Sequence, residues 1–332
     1  MSVEVPLAGG VWDRFGRIVA AHSVMLRDVG LIDDDALAGL LRAADSTRLA
    51  GPGADRNRVS LLEVVRDFDV RMDAQLPAGL AGTARVGRGT IDVAAGVARV
   101  ILRGDVLRFG DAVIALRTTL IELANTHVVS LMPVSIAGHI AQPTTLGHVL
   151  TSLVSQLART AARIESAYAD VNCSPLGSGA LASTGMPIDR ERLTDLLGFD
   201  GLIENTFDAV SATDHFAGIA EAVESVVLPV KRFLDAILTW VRAEPESFRF
   251  GAKWTGLLSD LPQARPVLGI ESLIGDLQAA IEIAVQLRSV AGRVAFGPHT
   301  IELDRLLEFA DAALSRGSSA IDRANLLIGG GL

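Results

Sequence analysis

Four long segments of this 332-residue chain carry apolar residues at helical spacing, and this pattern constrains the fold more than any other feature. In each segment apolar residues recur every three to four positions, so they share one face of an α-helix. Charged residues interrupt the apolar runs, which predicts core helices and not membrane spans. Helices of this length, apolar on more than one face, indicate an all-α long-helix bundle that continues across subunits. The four predicted helices cover residues 91–129, 144–171, 206–243 and 267–295.

Shorter helices and loops rich in glycine and proline are predicted to connect the long helices. Residues 12–46 are predicted to form two helices around a turn, and another helix follows at about 59–76. Pro133 and Pro143 predict a loop between the first two long helices, because proline is costly in a helix interior. A second loop is predicted at 244–266. The chain is then expected to end in a shorter helix and a frayed tail. No strand-period alternation lasts beyond a few residues, which favours an all-α fold.

The charge balance excludes several classes of partner. The formal net charge is −9, so the chain lacks the basic surface that nucleic acid or an anionic membrane would attract. A single cysteine, Cys173, leaves no internal disulfide, which is typical of a reducing cytoplasm. The spacing of His, Asp and Glu predicts no metal site, and no cofactor is expected. These observations favour a cytoplasmic protein that acts on a small molecule.

The Gly-rich loop, residues 172–190, is the first candidate for chemistry. Gly177, Ser178, Gly179 and Ala180 offer successive backbone N–H groups. Glycine permits the positive φ that points such amides inward, so the loop could hold a carboxylate or a phosphate, with a further donor from the serine hydroxyl. The alternative interpretation is a structural turn between two helices.

Polar residues recur at a three-residue spacing just after this loop. Asn205, Asp208, Ser211 and Asp214 follow one another where a long helix is predicted to begin, which places them along one helix face. Beside the Gly-rich loop such a stripe could contact a substrate. The alternative is a solvated helix surface.

Two histidines and one short segment complete the candidates. His139 and His148 lie on either side of a proline, and a loop histidine can act as a general acid or base near neutral pH. Surface or helix-capping histidines are the alternative. In Gly87–Asp92, Thr90 could cap the first long helix and Arg88 could contact an anion, or the segment could simply begin that helix.

Taken in order, these elements resemble the argininosuccinate lyases of the fumarase/aspartase superfamily. AAHSVMLRDVGLIDDDALAGLL at 20–41 is similar to that family's early helix pair, and VGRGTID stands where the family has Gly-Arg-Ser-Arg-Asn-Asp. MPVSIAGHIAQPTTLGH stands in place of Met-Pro-Gly-Tyr-Thr-His-Leu-Gln-Arg-Ala-Gln-Pro. The block at 175–214 matches nearly throughout. TGLLSDLPQARPVLGIE stands where the family's signature loop reads Gly-Ser-Ser-Ile-Met-Pro-Gln-Lys-Lys-Asn-Pro.

The resemblance implies the family's fold, assembly and activity. It predicts an N-terminal helical domain at 1–85 and a central long-helix bundle domain at 86–332, with the family's C-terminal domain largely absent. It also implies a homotetramer, in which each active site draws its segments from three chains. Enzymes of the family break a C–N or C–O bond β to a carboxylate and release fumarate. A serine removes the Cβ proton, and a histidine belongs to the acid machinery.

Several family residues are replaced in this chain. The family's Thr-His pair is Ile136 and Ala137, and the first serine of the signature loop is Leu258. A histidine and a serine reappear close by, and they remain catalytic candidates together with one matching histidine. The implied catalytic residues are His139, His148 and Ser259, and the implied substrate-binding residues are Arg88, Thr90, Asp92, Gln142, Ser178, Arg190, Asn205 and Ser211.

The replacements predict changed chemistry. Apolar side chains at carboxylate-binding positions would desolvate a carboxylate without offering donors, which is unfavourable. We therefore expect a lyase-fold enzyme that eliminates from, isomerises or cyclises a carboxylate-containing, more apolar substrate, which would suit secondary metabolism. The alternative is a non-catalytic, argininosuccinate lyase-like scaffold subunit.

Overall fold

The computed structural model describes residues 7–52, 60–136, 139–243, 267–297 and 300–331 of the chain. The described residues form ten α-helices, four short strands and one 3-10 turn, so the predicted all-α fold is confirmed. The helices are α1 (Leu7–Asp28), α2 (Asp34–Ala50), α3 (Leu61–Asp73), α4 (Thr90–Thr126), α5 (Leu146–Val171), α6 (Arg190–Leu196), α7 (Thr206–Ser211), α8 (Asp214–Ala243), α9 (Leu268–Ala291) and α10 (Thr300–Gly331). The strands are β1 (Leu131–Ile136), β2 (His139–Thr145), β3 (Cys173–Ser174) and β4 (Gly201–Leu202).

Side chains that accept backbone hydrogen bonds fix where several helices begin. Asp33 caps α2, and Asp189 caps α6. At α3, Ser60 and Glu63 form a capping box, in which each side chain accepts from the other residue's backbone N–H. Asn205 caps α7 by accepting from two amides. These short polar residues satisfy N–H groups that a helix leaves without partners at its first turn.

Two compact units divide the chain, and each draws on three separate segments. Because the units do not follow a single cut in the sequence, they do not test the predicted domain boundary after residue 85. That boundary remains a prediction. The first unit consists of Met1–Gly104, Tyr168–Ala217 and Ser289–Ala310, and the second of Asp105–Ala167, Gly218–Arg288 and Asp311–Leu332.

The first unit contains an aromatic cluster between α1 and α3. The ring centroids of Trp12 and Phe15 lie 4.9 and 5.0 Å from that of Phe68, and all three side chains are buried. The Trp12 indole N–H donates to the carbonyl of Thr47 on α2 at 2.9 Å. The three N-terminal helices therefore share one core, formed by apolar residues at helical spacing.

Arg103 on α4 bonds to the start of the Gly-rich loop and to the turn that follows α6. Its guanidinium donates to the Asn172 side chain at 2.9 Å and to the carbonyls of Gly198 and Leu197 at 2.7 and 3.1 Å. Strands β3 and β4 pair in parallel beside it, with Cys173 opposite Gly201. The chain is therefore held by hydrogen bonds at the start of the Gly-rich loop and again after α6.

The second unit consists of the remaining parts of the long helices and a hairpin. Small residues let helices approach closely: a Cβ on Gly317 of α10 would lie 3.0 Å from the ring of Phe109 on α4. Strands β1 and β2 pair antiparallel, with Pro133 opposite Pro143 and a register shift after Val134. Apart from residues 137 and 138, this hairpin lies within the described chain.

Three expectations about secondary structure are wrong. The segment expected to be a loop around Pro133 and Pro143 is the β1–β2 hairpin; in a two-stranded sheet proline can occupy a position without a ladder hydrogen bond. The helix expected at 206–243 is two helices, because Ala212 is extended at φ −69° and ψ 136°. The last helix is long, and Gly329 and Gly330 lie within it. The loop expected at 244–266 lies outside the described residues.

Length and hydropathy together decide whether a helix could cross a membrane. Among the described residues, no helix is both long enough and apolar enough to do so.

Candidate functional site

The carboxylate of Asp92 accepts hydrogen bonds from backbone amides of the Gly-rich loop. The Gly179 N–H donates to Asp92 Oδ2 at 2.9 Å, and the Val93 N–H donates to Asp92 Oδ1 at 2.8 Å. The Gly177 amide is a third donor to this carboxylate. Asp92 is fully buried. Two of the amides that the sequence offered to a substrate anion therefore hold an internal carboxylate, which no sequence pattern predicted.

Burial decides the charge state of Asp92. Removal from water raises the pKa of this carboxyl from 3.8 to about 6, because the ionised form loses hydration. The amides of Gly179, Val93 and Gly177 and the charge of Arg88 act in the opposite direction by stabilising the carboxylate. At neutral pH Asp92 is thus mostly ionised and acts as a fixed acceptor for the loop.

Ser178 and Arg190 stabilise the same loop from inside. The buried Ser178 hydroxyl donates to the Pro175 carbonyl at 2.6 Å and accepts from Arg190 at 2.8 Å. Arg190 also donates to the carbonyls of Leu176 and Ile203 at 3.1 and 2.9 Å. Because these groups bond within the chain, their role in binding a substrate remains a prediction.

Gly89 brings the loop and the start of α4 into backbone contact. A Cβ on Gly89 would lie 2.6 Å from the carbonyl carbon of Gly179 and 3.0 Å from the nitrogen of Ala180. No real side chain fits in that space. The family has serine at this position, so the replacement by glycine coincides with a close approach of two site segments.

Arg88, which precedes Gly89, bonds to another buried carboxylate. Its Nη2 lies 2.6 and 2.7 Å from the two oxygens of Asp69, and its guanidinium lies 5.1 Å from the ring of Phe15. His22 donates from Nε2 to the Val86 carbonyl at 2.9 Å. Burial and the positive charge of Arg88 lower the pKa of His22 to about 4, so this histidine is neutral at pH 7.

Three more of the predicted residues belong to the first unit. Thr90 is exposed as the first residue of α4. Asn205 uses its side-chain oxygen to accept from the amides of Phe207 and Asp208 at 2.9 and 3.1 Å. Ser211 ends α7 and is buried. The predicted polar stripe is therefore divided, because α8 begins separately after the extended residue 212.

The other predicted residues belong to the second unit or lie outside the described chain. His139 and Gln142 are exposed on β2. His148 is exposed in the first turn of α5, where its backbone N–H donates to the Thr145 hydroxyl at 3.2 Å. Ser259 lies outside the described residues, so its role remains a prediction.

Ser183, which no sequence pattern singled out, has an unusual backbone. Its φ is +69°, and among the described residues no other non-glycine residue has a positive φ. The side chain is exposed. Composition and periodicity carry no signal for this conformation, since serine is common in ordinary loops.

Metal ligation has no support in the described part of the chain. Within it, no group of three or more His, Cys, Asp or Glu side chains could hold an ion.

Comparison with known proteins decides the family. A family model described as Lyase matches residues 74–249, more than half of the sequence. The chain belongs to the lyase family. Among the relatives of this lyase-family chain, the argininosuccinate lyase of Methanosarcina mazei is 32% identical over 249 residues, which are 74% of this chain and 50% of the relative. The chain thus spans about half the length of the curated relatives it matches, and its resemblance to argininosuccinate lyases is confirmed.

Solved structures extend the comparison to the fold. EDDS lyase in complex with formate is 26% identical, with a TM-score of 0.86 over 98% of this lyase-family chain and 64% of that protein. The class II fumarase of Schistosoma mansoni is 13% identical, with a TM-score of 0.81 over 97% of this chain and 75% of the fumarase. At that identity the fumarase supports only the fold, which is that of the fumarase/aspartase superfamily.

Proposed function

We propose that this chain is an enzyme subunit that cleaves a C–N or C–O bond β to a carboxylate, on a substrate more apolar than argininosuccinate. The observation that carries the proposal is the hydrogen-bond network that joins the buried Asp92 and Ser178 to Gly179 and to the half-buried Arg190. Burying a carboxylate and a guanidinium is unfavourable unless both are bonded in a fixed geometry. A network of this kind holds the Gly-rich loop in one conformation, which a binding site requires.

The apolar replacements support the change of substrate. Ile136 stands where the family has threonine, and it is 70% exposed on the hairpin. Ile91 replaces an asparagine next to Asp92. An apolar wall favours an uncharged part of the substrate beside the carboxylates that the reaction requires.

Two solved relatives support a carboxylate ligand. EDDS lyase, 26% identical to this chain, is described in complex with formate. A variant of that enzyme, 25% identical to this chain, is described with bound fumarate. Both ligands are carboxylates, as the proposed reaction requires.

The proposed elimination needs one base and one acid. The base takes the proton from Cβ, the C–H electron pair forms the new double bond, and the C–N or C–O pair leaves with the departing group. The acid returns a proton to that group, so an amine or alcohol and an unsaturated carboxylate result. His139, His148 and Ser259 are the candidates for these two roles. Isomerisation or cyclisation would use the same carbanion-like stage.

Self-association is part of the proposal. Leu107, Ile114 and Ile121 lie seven residues apart on α4, and all three are exposed. A seven-residue apolar repeat forms a seam along a helix, typical of helix–helix contact. The hairpin that carries His139 also exposes Leu131. We propose a homotetramer in which partner copies cover these surfaces and complete the active sites.

One observation favours a second candidate, the non-catalytic scaffold subunit. Asp92, Ser178 and Arg190 match the family, yet each bonds to groups of this chain. A scaffold would keep such interactions for folding alone. The two candidates differ in whether the protein consumes a substrate that it binds.

The reverse reaction tests the proposal without knowledge of the natural substrate. The protein is incubated with benzylamine and either fumarate or its methyl derivative mesaconate, and amine addition is followed by loss of ultraviolet absorbance and by NMR. We expect consumption by the wild type, and rates reduced by about 10²–10⁴-fold in variants that lack the acid or base, His139→Ala or Ser259→Ala. His127→Ala is the matched control, since His127 pairs with Ser130 at 2.9 Å and has no proposed role.

Two outcomes would contradict the enzyme proposal. Binding of either dicarboxylate without any consumption would favour the scaffold candidate. Consumption that is equal in the wild type and in both variants would overturn the assignment of these two residues.

A further inference from the structure

Ser183 has a backbone conformation that folding alone would assign to glycine. Its φ of +69° lies in the left-handed region, where a Cβ meets the following carbonyl oxygen. Glycine adopts this region without that contact. Unfavourable backbone conformations of this kind persist where the surroundings impose them, and they cluster at functional sites.

The surroundings of Ser183 impose the conformation. Its N–H donates to the Ser178 carbonyl at 3.1 Å, which closes residues 178–183 into a ring. Gly179, at φ +66°, lies against the other side: a Cβ there would be 2.8 Å from the Ser183 carbonyl oxygen. The Gly179 amide is in turn bonded to Asp92, and its peptide contacts Gly89. Ser183 is therefore connected to the buried network through one residue.

The Ser183 hydroxyl is available to a ligand. The side chain is exposed, and no other group in the described ranges forms a hydrogen bond with its oxygen. The inner donors of the loop are occupied, because Asp92 accepts from Gly177 and Gly179. A ligand carboxylate at this loop needs donors other than these two amides, and Ser183 presents one on the exposed surface.

We propose that the Ser183 hydroxyl donates a hydrogen bond to a carboxylate of the substrate, and that its left-handed backbone aims it there. The inference rests on the proposed function, since it assumes a carboxylate-containing substrate. It assigns a binding residue outside the set that the sequence supplied. It also gives a reason for a serine at a position whose geometry suits glycine.

Binding of fumarate and mesaconate to the full chain, measured by titration calorimetry, tests this assignment. Loss of one hydrogen bond to a charged group should weaken binding by about tenfold or more in Ser183→Ala and in Ser183→Gly. Ser183→Gly should at the same time unfold at a temperature equal to or above that of the wild type, because glycine removes the steric contact. Weaker binding together with undiminished stability is a pattern that a structural role would not produce.

Two further variants make the outcome specific. Ser183→Asn should retain most of the affinity, since asparagine tolerates the left-handed region and offers an N–H donor. Ser289→Ala, at an exposed serine of the first unit outside the loop, should bind like the wild type.

The possible failures are distinguishable. If the wild type binds a dicarboxylate and both Ser183→Ala and Ser183→Gly bind it equally well, the Ser183 assignment is overturned and the proposed function stands. If the wild type binds neither compound, the proposed carboxylate chemistry is overturned together with the assignment.

Discussion

Two buried titratable residues of the first unit respond to pH in opposite directions. Asp92 has its pKa raised from 3.8 to about 6 by burial, so the folded protein holds this proton more tightly than the unfolded chain does. Its contribution to stability is therefore full below pH 4 and is lost as the pH rises to about 6. His22 has its pKa lowered from 6.5 to about 4, mainly by burial. Its contribution is full above pH 6.5 and is lost as the pH falls to about 4.

The two effects are predicted to offset each other, and single substitutions should separate them. Each shift of about two units corresponds to roughly 3 kcal/mol. Asp92→Asn should lose about that much free energy of unfolding between pH 6.5 and pH 4, relative to the wild type, because His22 then acts alone. His22→Gln should gain a similar amount over the same range. Urea unfolding at several pH values measures both.

The comparison of these three proteins removes the effect of the other titrating groups. All three share the remaining carboxylates and histidines, so differences between their pH profiles isolate Asp92 and His22. Parallel profiles in all three proteins would show that neither residue has a shifted pKa.

At the scale of elements, the contact between the start of α4 and the Gly-rich loop depends on the absence of one side chain. Gly89→Ala would place a Cβ 2.6 Å from the Gly179 carbonyl carbon, where backbone and not a movable side chain must yield. We expect this variant to lose about 1–3 kcal/mol of stability, as overpacked sites do. Thermal unfolding measures the loss.

A glycine of the Gly-rich loop provides the control. Gly185 has no positive φ, and no atom lies within 4 Å of the position that a Cβ would take there. Gly185→Ala should therefore change stability by about 0.5 kcal/mol or less. Equal effects of the two substitutions would mean that the close backbone approach at Gly89 contributes nothing.

Elements differ in how far the sequence could predict them. The long helices α4, α5 and α9 agree closely with the apolar periodicity, which is a local property. The hairpin was missed because most of its residues are exposed, so no alternation of buried and exposed side chains marks its strands. The break between α7 and α8 was missed because the apolar pattern continues through it, while Asn205 caps α7 and α8 begins separately at Asp214.

At the scale of the whole molecule, the exposed apolar repeat on α4 predicts self-association. Replacing Ile114 and Ile121 together by glutamate would put two charges into the proposed seam. We expect the wild type to be a tetramer in light scattering after size exclusion, and the double variant to be monomeric or dimeric, because buried unpaired charges are strongly unfavourable.

An exposed valine elsewhere serves as the control for this prediction. Val70 on α3 is 66% exposed, so Val70→Glu should leave the assembly unchanged. A wild-type monomer at about micromolar concentration would contradict the tetramer, and the seven-residue repeat would then need another partner.

The helical architecture, the family resemblance and the Gly-rich loop as a candidate site can all be predicted from the sequence. They depend on periodicity and on residue types at short spacing, which are local properties of the chain. The partner of each polar group depends instead on how distant segments pack together. Asp92 and Gly179 are 87 residues apart, and the sequence around neither residue predicts that the carboxylate accepts a hydrogen bond from this loop amide. The same holds for Gly89 and Ser183, whose roles arise because distant backbone segments lie in contact, and such contacts depend on the packing of the whole unit.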